Sequence, residues 1–366
     1  MRLLNLVIQD FRNLELVQLD TDARFVVFEG ENAQGKTNCL EAIYGLATLK
    51  SFRARRNREL IRFGADVARV GGAVMDEGIR RKFRFTVSSA GRMGEVDDKR
   101  PSSLRNYFDG IRAVLFCPED TAMVRGDPGG RRRFLDRAAF TARPSYLDIA
   151  RDYQRVLDQR SSLLRALNRD LIQLDIFDEQ LAHLGAHLSL RRQQIVKQLV
   201  PHFEALHGQI AGGGKAKIRY RSCLGEGEQD EQAARFMELL GASRQDELRR
   251  GMNLVGPHRD DLAVEVNGRS ARAYGSQGQV RSVVIALKLA ELQAARSRGD
   301  RLLFLLDDLS SELDQRRTDQ LLGLLRELDL QTFVTTTDVE RLSGLPEGSA
   351  RFFRVEGGQV LARGDG

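Results

Sequence analysis

Residues 30–37 read GENAQGKT and fit the pattern G-x-x-x-x-G-K-[ST]. They follow RFVVF at 24–28, which has the composition of a buried strand, and they open a helical stretch from Thr37 to Leu49. Strand, glycine-containing loop and helix N-terminus in this order make an anion cradle. Backbone N–H groups can crowd round phosphate oxygens, and the helix dipole favours negative charge. Gly30, Glu31, Asn32, Ala33, Gln34, Gly35, Lys36 and Thr37 are therefore expected to bind a nucleotide. Lys36 would reach its β- and γ-phosphates, and the Thr37 hydroxyl would ligate Mg2+.

Farther along, 302–308 read LLFLLDD, a buried strand ending in two acids. Adjacent carboxylates at the end of an apolar strand make a poor surface unless a cation or substrate meets them. Asp307 is the expected Mg2+-holding acid and Asp308 the expected polariser of the attacking water, so Lys36 and Asp308 are the catalytic candidates. A helix N-cap is the alternative, since a helix starts soon after. A third segment, YGSQGQ at 274–279, precedes a helix beginning near Val280. It has the makings of an anion site at a helix N-terminus, and equally of an ordinary cap by Ser276.

The rest of the chain divides by pattern. At first, short apolar runs such as Leu3–Ile8 and Arg81–Val87 alternate with Gly, Asp or Asn, which predicts sheet. Beyond Ala142 the spacing turns helical: Tyr146, Ile149, Tyr153, Val156, Leu163 and Leu167, then Leu181, Leu184, Leu188, Ile195 and Leu199. Two long helices are predicted, joined near 170–178, neither much above ~45 Å at ~1.5 Å per residue. Pro201 and Ala211-Gly212-Gly213-Gly214 break the second. A short strand at 217–221 and an acidic, Gly-containing loop come next, then a hairpin of Leu262–Val266 and Arg272–Tyr274 about an Asn267-Gly268 turn. A helix at 280–295, the strand at 302–306, a helix at 315–328, a strand at 332–335 and a hairpin around Glu356-Gly357-Gly358 complete the reading. The expected fold is α/β, a P-loop head (1–140 and 252–366) interrupted by a mostly helical second lobe (141–251) with a short antiparallel helical pair.

Composition bounds the function classes. The length of 366 residues suits about two domains. The 57 Lys+Arg against 51 Asp+Glu leave a net charge of +6, and 49 of the basic residues are Arg. Guanidinium groups fork onto phosphate oxygens, although a G·C-rich coding bias gives the same skew. Cys39, Cys117 and Cys223 lie far apart with no CxxC spacing, against both a disulfide framework and a zinc site. MRLLNLVIQDFRN at 1–13 lacks a signal-peptide pattern, and nowhere do 18 apolar residues run together, so a soluble cytoplasmic protein without a membrane partner is expected.

The phosphate loop, the YGSQGQ segment and the acid pair, in this order, resemble the ATP-binding-cassette (ABC) superfamily and within it the SMC-like branch. By this resemblance Ser276, Gln277, Gly278 and Gln279 match the last four positions of the LSGGQ signature, with Gln277 replacing the usual Gly. Asp307-Asp308 matches the Walker B pair, Ser311 to Asp314 (SELD) the D-loop, and Thr337 stands where a switch histidine is common. The closer resemblance is to the RecF family of bacterial recombination mediators. It rests on FRN at 11–13, residues 30–64, PED at 118–120, RRRFLD at 131–136, GPHRDDL at 256–262, SQGQVR at 276–281 and DDLSSELD at 307–314. It implies ATP with Mg2+, and a homodimer sandwiching two ATP molecules, with Ser276 and Gly278 of one protomer capping the γ-phosphate held by Lys36 of the other. It further implies weak, DNA-stimulated hydrolysis that times release, and action on gapped or single/double-strand junction DNA that helps RecR, and indirectly RecO, bring RecA onto single strands.

Arg53, Arg55 and Arg56, continuing to Arg58 and Arg62, follow the first helix, and Arg131, Arg132 and Arg133 start the insert. Both runs are candidates for DNA phosphates, with a solvated charged surface as the alternative. No aromatic comb or recognition helix accompanies them, so backbone rather than base recognition is expected. His258 has no visible catalytic partner and is expected to be buried and hydrogen-bonded. Two rival classes share the nucleotide site. A transporter's energising subunit must dock membrane helices and usually has a shorter insert; an SMC-type nuclease-coupled repair ATPase needs longer arms. No nuclease cluster or helicase motif set is visible.

Overall fold

The apolar run ahead of the glycine loop becomes the strand β4 (Phe25–Glu29) of a six-stranded sheet. Its companions are β8 (Ala113–Phe116), β12 (Leu303–Leu306), β13 (Gln331–Thr336), β14 (Ala350–Glu356) and β15 (Gln359–Ala362), in the order β15-β14-β4-β13-β12-β8. All pairs are parallel except β14 with β15. Every residue of β8, β12 and β13 is buried, as expected for parallel strands covered on both faces. Parallel register brings the C-terminal ends of β4, β8, β12 and β13 out on one side, and there the loops carry the candidate site. Helix α1 (Lys36–Thr48) starts at that edge and buries Cys39, Leu40, Ile43 and Leu46.

A second, antiparallel sheet precedes and flanks α1 in sequence. It contains β1 (Arg2–Leu3), β2 (Asn5–Phe11), β3 (Leu14–Asp20), β5 (Val67–Asp76), β6 (Ile79–Ser88) and β7 (Gly91–Val96), in the order β3-β2-β5-β6-β7 with β1 on β5. Phe83, Phe85 and Val87 alternate inward along β6 while Arg80, Lys82 and Arg84 point outward. A short α2 (Leu104–Phe108) follows, capped by the Ser103 side chain.

The structure, a computed structural model, describes residues 1–168, 170–309 and 315–363. They divide into two compact units, Met1–Asp120 with Glu291–Gly366, and Thr121–Ala290. The second holds α3 (Thr121–Arg125), α4 (Pro128–Ala142), α5 (Tyr146–Arg165), α6 (Leu171–Ile210), α7 (Gln229–Arg250), α8 (Ala271–Tyr274) and the first part of α9 (Gln277–Ser297). It also has its own sheet of β9 (Ala216–Arg221), β10 (Asp261–Val266) and β11 (Arg269–Ser270). This unit is wider than the 141–251 lobe read from helical spacing, because α4 packs on α5, α6 and β10.

Several local expectations change. Pro201 lies inside α6, which runs unbroken for 40 residues, ~60 Å rather than ~45 Å. Its exposed ring costs a backbone hydrogen bond, but the buried stripe of Leu199, Phe203, Leu206 and Ile210 carries the helix past it. Helix α5 ends at Arg165 and α6 already begins at Leu171, so most of the 170–178 stretch expected to join them is helical. The acidic loop contains α7, whose buried face carries Ala233, Phe236 and Leu240 but is interrupted by the buried Gln232 and Glu247. The Asn267-Gly268 turn has both residues at positive φ, as a type I′ turn requires, but its second strand is Arg269–Ser270, and 271–274 are helical.

Charged residues organise the second unit's interior. Arg160 is fully buried and meets Asp178 at 2.5 Å, Glu247 at 2.7 Å and the Asn253 Oδ1 at 2.5 Å, so one guanidinium ties α5, α6 and α7 together. Asp178 also receives Arg244 at 2.7 Å. His258 is partly buried as expected, its Nδ1 2.8 Å from the Tyr153 hydroxyl. Burial, then Arg259, Arg132 and Arg160, lower its pKa from 6.5 to about 4. The unfolded chain binds this proton first, so His258 contributes stability that is full above about pH 6.5 and is lost as pH falls toward 4. Replacing His258 with Asn should therefore flatten the pH dependence of the denaturation free energy between pH 6.5 and 4, a slope that approaches ~1.4 kcal/mol per unit for one proton.

Candidate functional site

The loop between β4 and α1 wraps its own lysine. Lys36, only 7% exposed, donates from Nζ to the carbonyls of Gly30 and Glu31 at 2.7 Å each. Burial lowers the pKa of its ammonium group, while Asp308, Asp307 and Glu31 work against that shift. A phosphate bearing negative charge is thus a better partner for Lys36 than two neutral carbonyls.

Beside it, the end of β12 brings Asp307 against the first turn of α1. The Thr37 hydroxyl donates to Asp307 Oδ1 at 2.9 Å, and the Thr335 hydroxyl, from β13, donates to the same oxygen at 2.7 Å. Burial pushes the Asp307 carboxyl up, the two threonine hydrogen bonds hold it down, and the Glu119 and Asp308 charges push it up again. Asp308 turns out of the strand at φ 51°, in the left-handed region, with its N–H donating to Thr335 Oγ1 at 2.8 Å. Thr335 therefore fixes both acids, donating to one and accepting from the backbone of the other.

These residues fit a Mg2+-nucleotide better than a metal held by protein alone. Among the described residues no group of three His, Cys, Asp or Glu side chains could hold an ion. One hydroxyl and one carboxylate oxygen already converge, and Mg2+ commonly takes one or two such ligands plus phosphate oxygens and water.

The loop is braced from outside. Gln34 accepts on its carbonyl from Gly358 N–H at 3.0 Å and from Asn13 Nδ2 at 3.1 Å, and on its side chain from Gly357 N–H at 2.7 Å. Gly358 sits at φ 85°, where a Cβ would lie 2.3 Å from the Asn13 carbonyl oxygen, so only glycine lets the β14–β15 turn come this close. Asn13 Oδ1 accepts from Asn38 at 2.7 Å, and Asn38 Oδ1 accepts from Arg53 at 3.3 Å. Arg12 forks onto the buried Glu41 with two bonds of 2.9 Å.

The structure brings Lys36, Thr37, Asp307 and Asp308 together, and Thr337 lies exposed in a cavity of about 590 Å³ with Gly30, Glu31 and Gln34. Asp314 falls outside the described residues. Ser276 and Gln279 cap the N-terminus of α9 reciprocally, at 3.2 and 2.9 Å, with Gln277 and Gly278 in its first turn. The N-cap reading of Ser276 is therefore what the single chain displays. Arg53, Arg55 and Arg56 are exposed.

Arg131 departs from the expected DNA contact. It is 3% exposed, forks onto Asp261 at 2.6 and 2.9 Å, and donates to the carbonyls of Met123, Val124 and Gly126. Its guanidinium closes the end of α3 and has no face left for a phosphate. Arg132 is half-buried and donates to the Asp260 carbonyl, while Arg133 is exposed. Sequence reasoning missed Thr335 and Glu119. The threonine run VTTTD drew attention to Thr337, but strand alternation turns Thr335 toward the acids.

No protein-family model matches the chain. The DNA replication and repair protein RecF of Myxococcus xanthus is 42% identical over 373 residues, covering 100% of this chain and 98% of that protein. The one from Geobacter sulfurreducens is 42% identical over 368 residues, 98% of this chain and 99% of that protein. A solved structure of the recombination mediator protein RecF with ATP, in the RecFOR pathway, is 29% identical with a TM-score of 0.89, covering 99% of this chain and 97% of that one. An Smc head bound to the C-winged helix domain of ScpA shares the fold alone, with a TM-score of 0.56 at 14% identity over 99% of this chain and 97% of that one. Full-length identity at this level, together with a P-loop head whose acids and threonines converge, establishes that the chain belongs to the RecF family.

Proposed function

We propose that the chain is an ATP-dependent DNA-binding recombination mediator that pairs head to head on gapped or single/double-strand junction DNA and is released by slow hydrolysis. The carrying observation is the convergence of Thr37 and Asp307 at 2.9 Å beside the buried Lys36. Bound Mg2+-ATP would supply the phosphoryl group that hydrolysis transfers to water. The residues then divide the work: Lys36 holds the terminal phosphates, Thr37 and Asp307 hold the ion, Thr335 keeps Asp307 oriented, and Asp308 orients the attacking water.

Ser276, Gln277, Gly278 and Gln279 of a partner copy would close over the γ-phosphate, with Thr337 in the switch position. Contacts made by both copies to one phosphate stabilise the pair and vanish on hydrolysis, which makes ATP turnover a timer. Arg53, Arg55 and Arg56 present exposed positive charge for phosphates, and in the second unit Arg133 is exposed as well. The RecF name of the relatives and the RecFOR pathway of the solved structure support RecR and RecO as partners, with RecA loading as the outcome. Nuclease and helicase activities form no part of this reading. No helix among the described residues is long and apolar enough to cross a membrane.

Asp308→Asn tests the reading. The variant should bind ATP, hydrolyse it at least ten-fold more slowly and accumulate as a dimer in sedimentation velocity. Hydrolysis at the wild-type rate would end the assignment of Asp308, and a wild-type chain that stays monomeric with ATP and gapped DNA would end the proposal.

A further inference from the structure

The solvent side of the antiparallel sheet is strongly basic, and neither phosphate-binding run read from the sequence includes it. Along β6, Arg80, Lys82 and Arg84 occupy alternate positions and so share one face, about 6.7 Å apart. The β5–β6 register sets Gly71 opposite Arg84, Ala73 opposite Lys82, and Arg69 opposite Thr86, while β2 adds Val7 across from Gly71. The small side chains on β5 leave a trough of about 690 Å³ walled by Arg69, Arg80, Lys82 and Arg84. Arg84 is paired with Glu95 at 3.3 Å and Asp98 at 2.7 Å. Arg69, Arg80 and Lys82 are exposed and have no ion-pair partner among the described residues.

Three unneutralised cations in a trough call for a polyanion, and the missing chemistry narrows which one. Phe83 and Phe85 are 2% and 0% exposed, turned into the core, and no aromatic ring is exposed on this sheet. Sequence-tolerant binding of single strands relies on aromatic platforms for unstacked bases; a duplex offers its phosphates without them. We propose that this sheet face is a docking surface for the phosphodiester backbone of duplex nucleic acid, gripped through Arg69, Arg80 and Lys82. The inference rests on the DNA-binding reading above and deepens it, giving the duplex side of a gap or junction its own seat.

The test uses the full chain with ATP, a fluorescent blunt duplex and a fluorescent oligothymidylate of equal length. Arg80→Gln with Lys82→Gln removes two exposed charges. Loss of two phosphate contacts should make the slope of log K against log salt shallower by about 1.8 for the duplex. ATP affinity and the melting temperature should stay unchanged, and the single strand should be bound as by wild type. An unchanged duplex slope overturns the proposal and leaves the face to an acidic protein partner. An equal loss on the single strand overturns its duplex specificity. A wild-type chain that binds neither DNA overturns the proposed function itself, an outcome distinct from either of these.

Discussion

Lys36→Ala is expected to leave a folded chain that needs roughly ten- to a hundred-fold more ATP to dimerise and hydrolyses ATP at least a hundred-fold more slowly. The Lys36 ammonium is nearly buried and spends its donors on the Gly30 and Glu31 carbonyls, so the loop is already shaped for a cation at its centre. Removing it takes away a charge-assisted contact of ~1.5–3 kcal/mol to the terminal phosphates, roughly ten- to a hundred-fold in affinity. A donor that strengthens as charge develops in the transition state costs further rate, on the order of 10²–10³. Lys36→Arg keeps the charge but presents a planar fork where a point charge fits, so it should also weaken ATP-dependent pairing. Sedimentation velocity across an ATP titration measures both variants, and wild-type dimerisation by Lys36→Ala would remove the lysine from the site.

The largest effect on stability is expected at Arg160, far in sequence from any nucleotide residue. Arg160→Ala leaves the buried Glu247 without its cation and the buried Asp178 with Arg244 alone. Breaking a buried ion network on one side typically costs ~3–5 kcal/mol, a large part of the ~5–15 kcal/mol that holds an ordinary domain together. Asn253 would lose a hydrogen bond as well. A urea titration followed by far-ultraviolet circular dichroism should show a lower midpoint with little change in slope. A triple change of Arg160, Asp178 and Glu247 to apolar residues of similar volume should recover much of the loss, since the penalty comes from the stranded carboxylates.

The head was legible because its signals are local. GENAQGKT lies between a strand and a helix, LLFLLDD is a buried strand with its acids at the exit, and the turn residues Asn267-Gly268 and Gly357-Gly358 fall where their backbone angles demand. What stayed hidden is tertiary. Helix α7 buries a glutamate and a glutamine within its apolar stripe, because Glu247 meets Arg160 of α5 and Gln232 meets Gln193 of α6. Pro201 was read as a terminus since periodicity cannot weigh one missing hydrogen bond against a continuing packed face. Arg131 is chemically identical to an arginine that meets DNA; only Asp261, 130 positions later, reveals that it serves the interior. Thr335 gained its place at the acids from the parallel register of β12 and β13, which no spacing along the chain displays.

The grip of Gly357 and Gly358 on Gln34 joins residues more than 320 positions apart. During synthesis the ribosome delivers the phosphate cradle first and its brace more than 320 residues later, with β14, the neighbour of β4, arriving alongside the brace. A nascent chain therefore carries an unbraced cradle until translation reaches this hairpin.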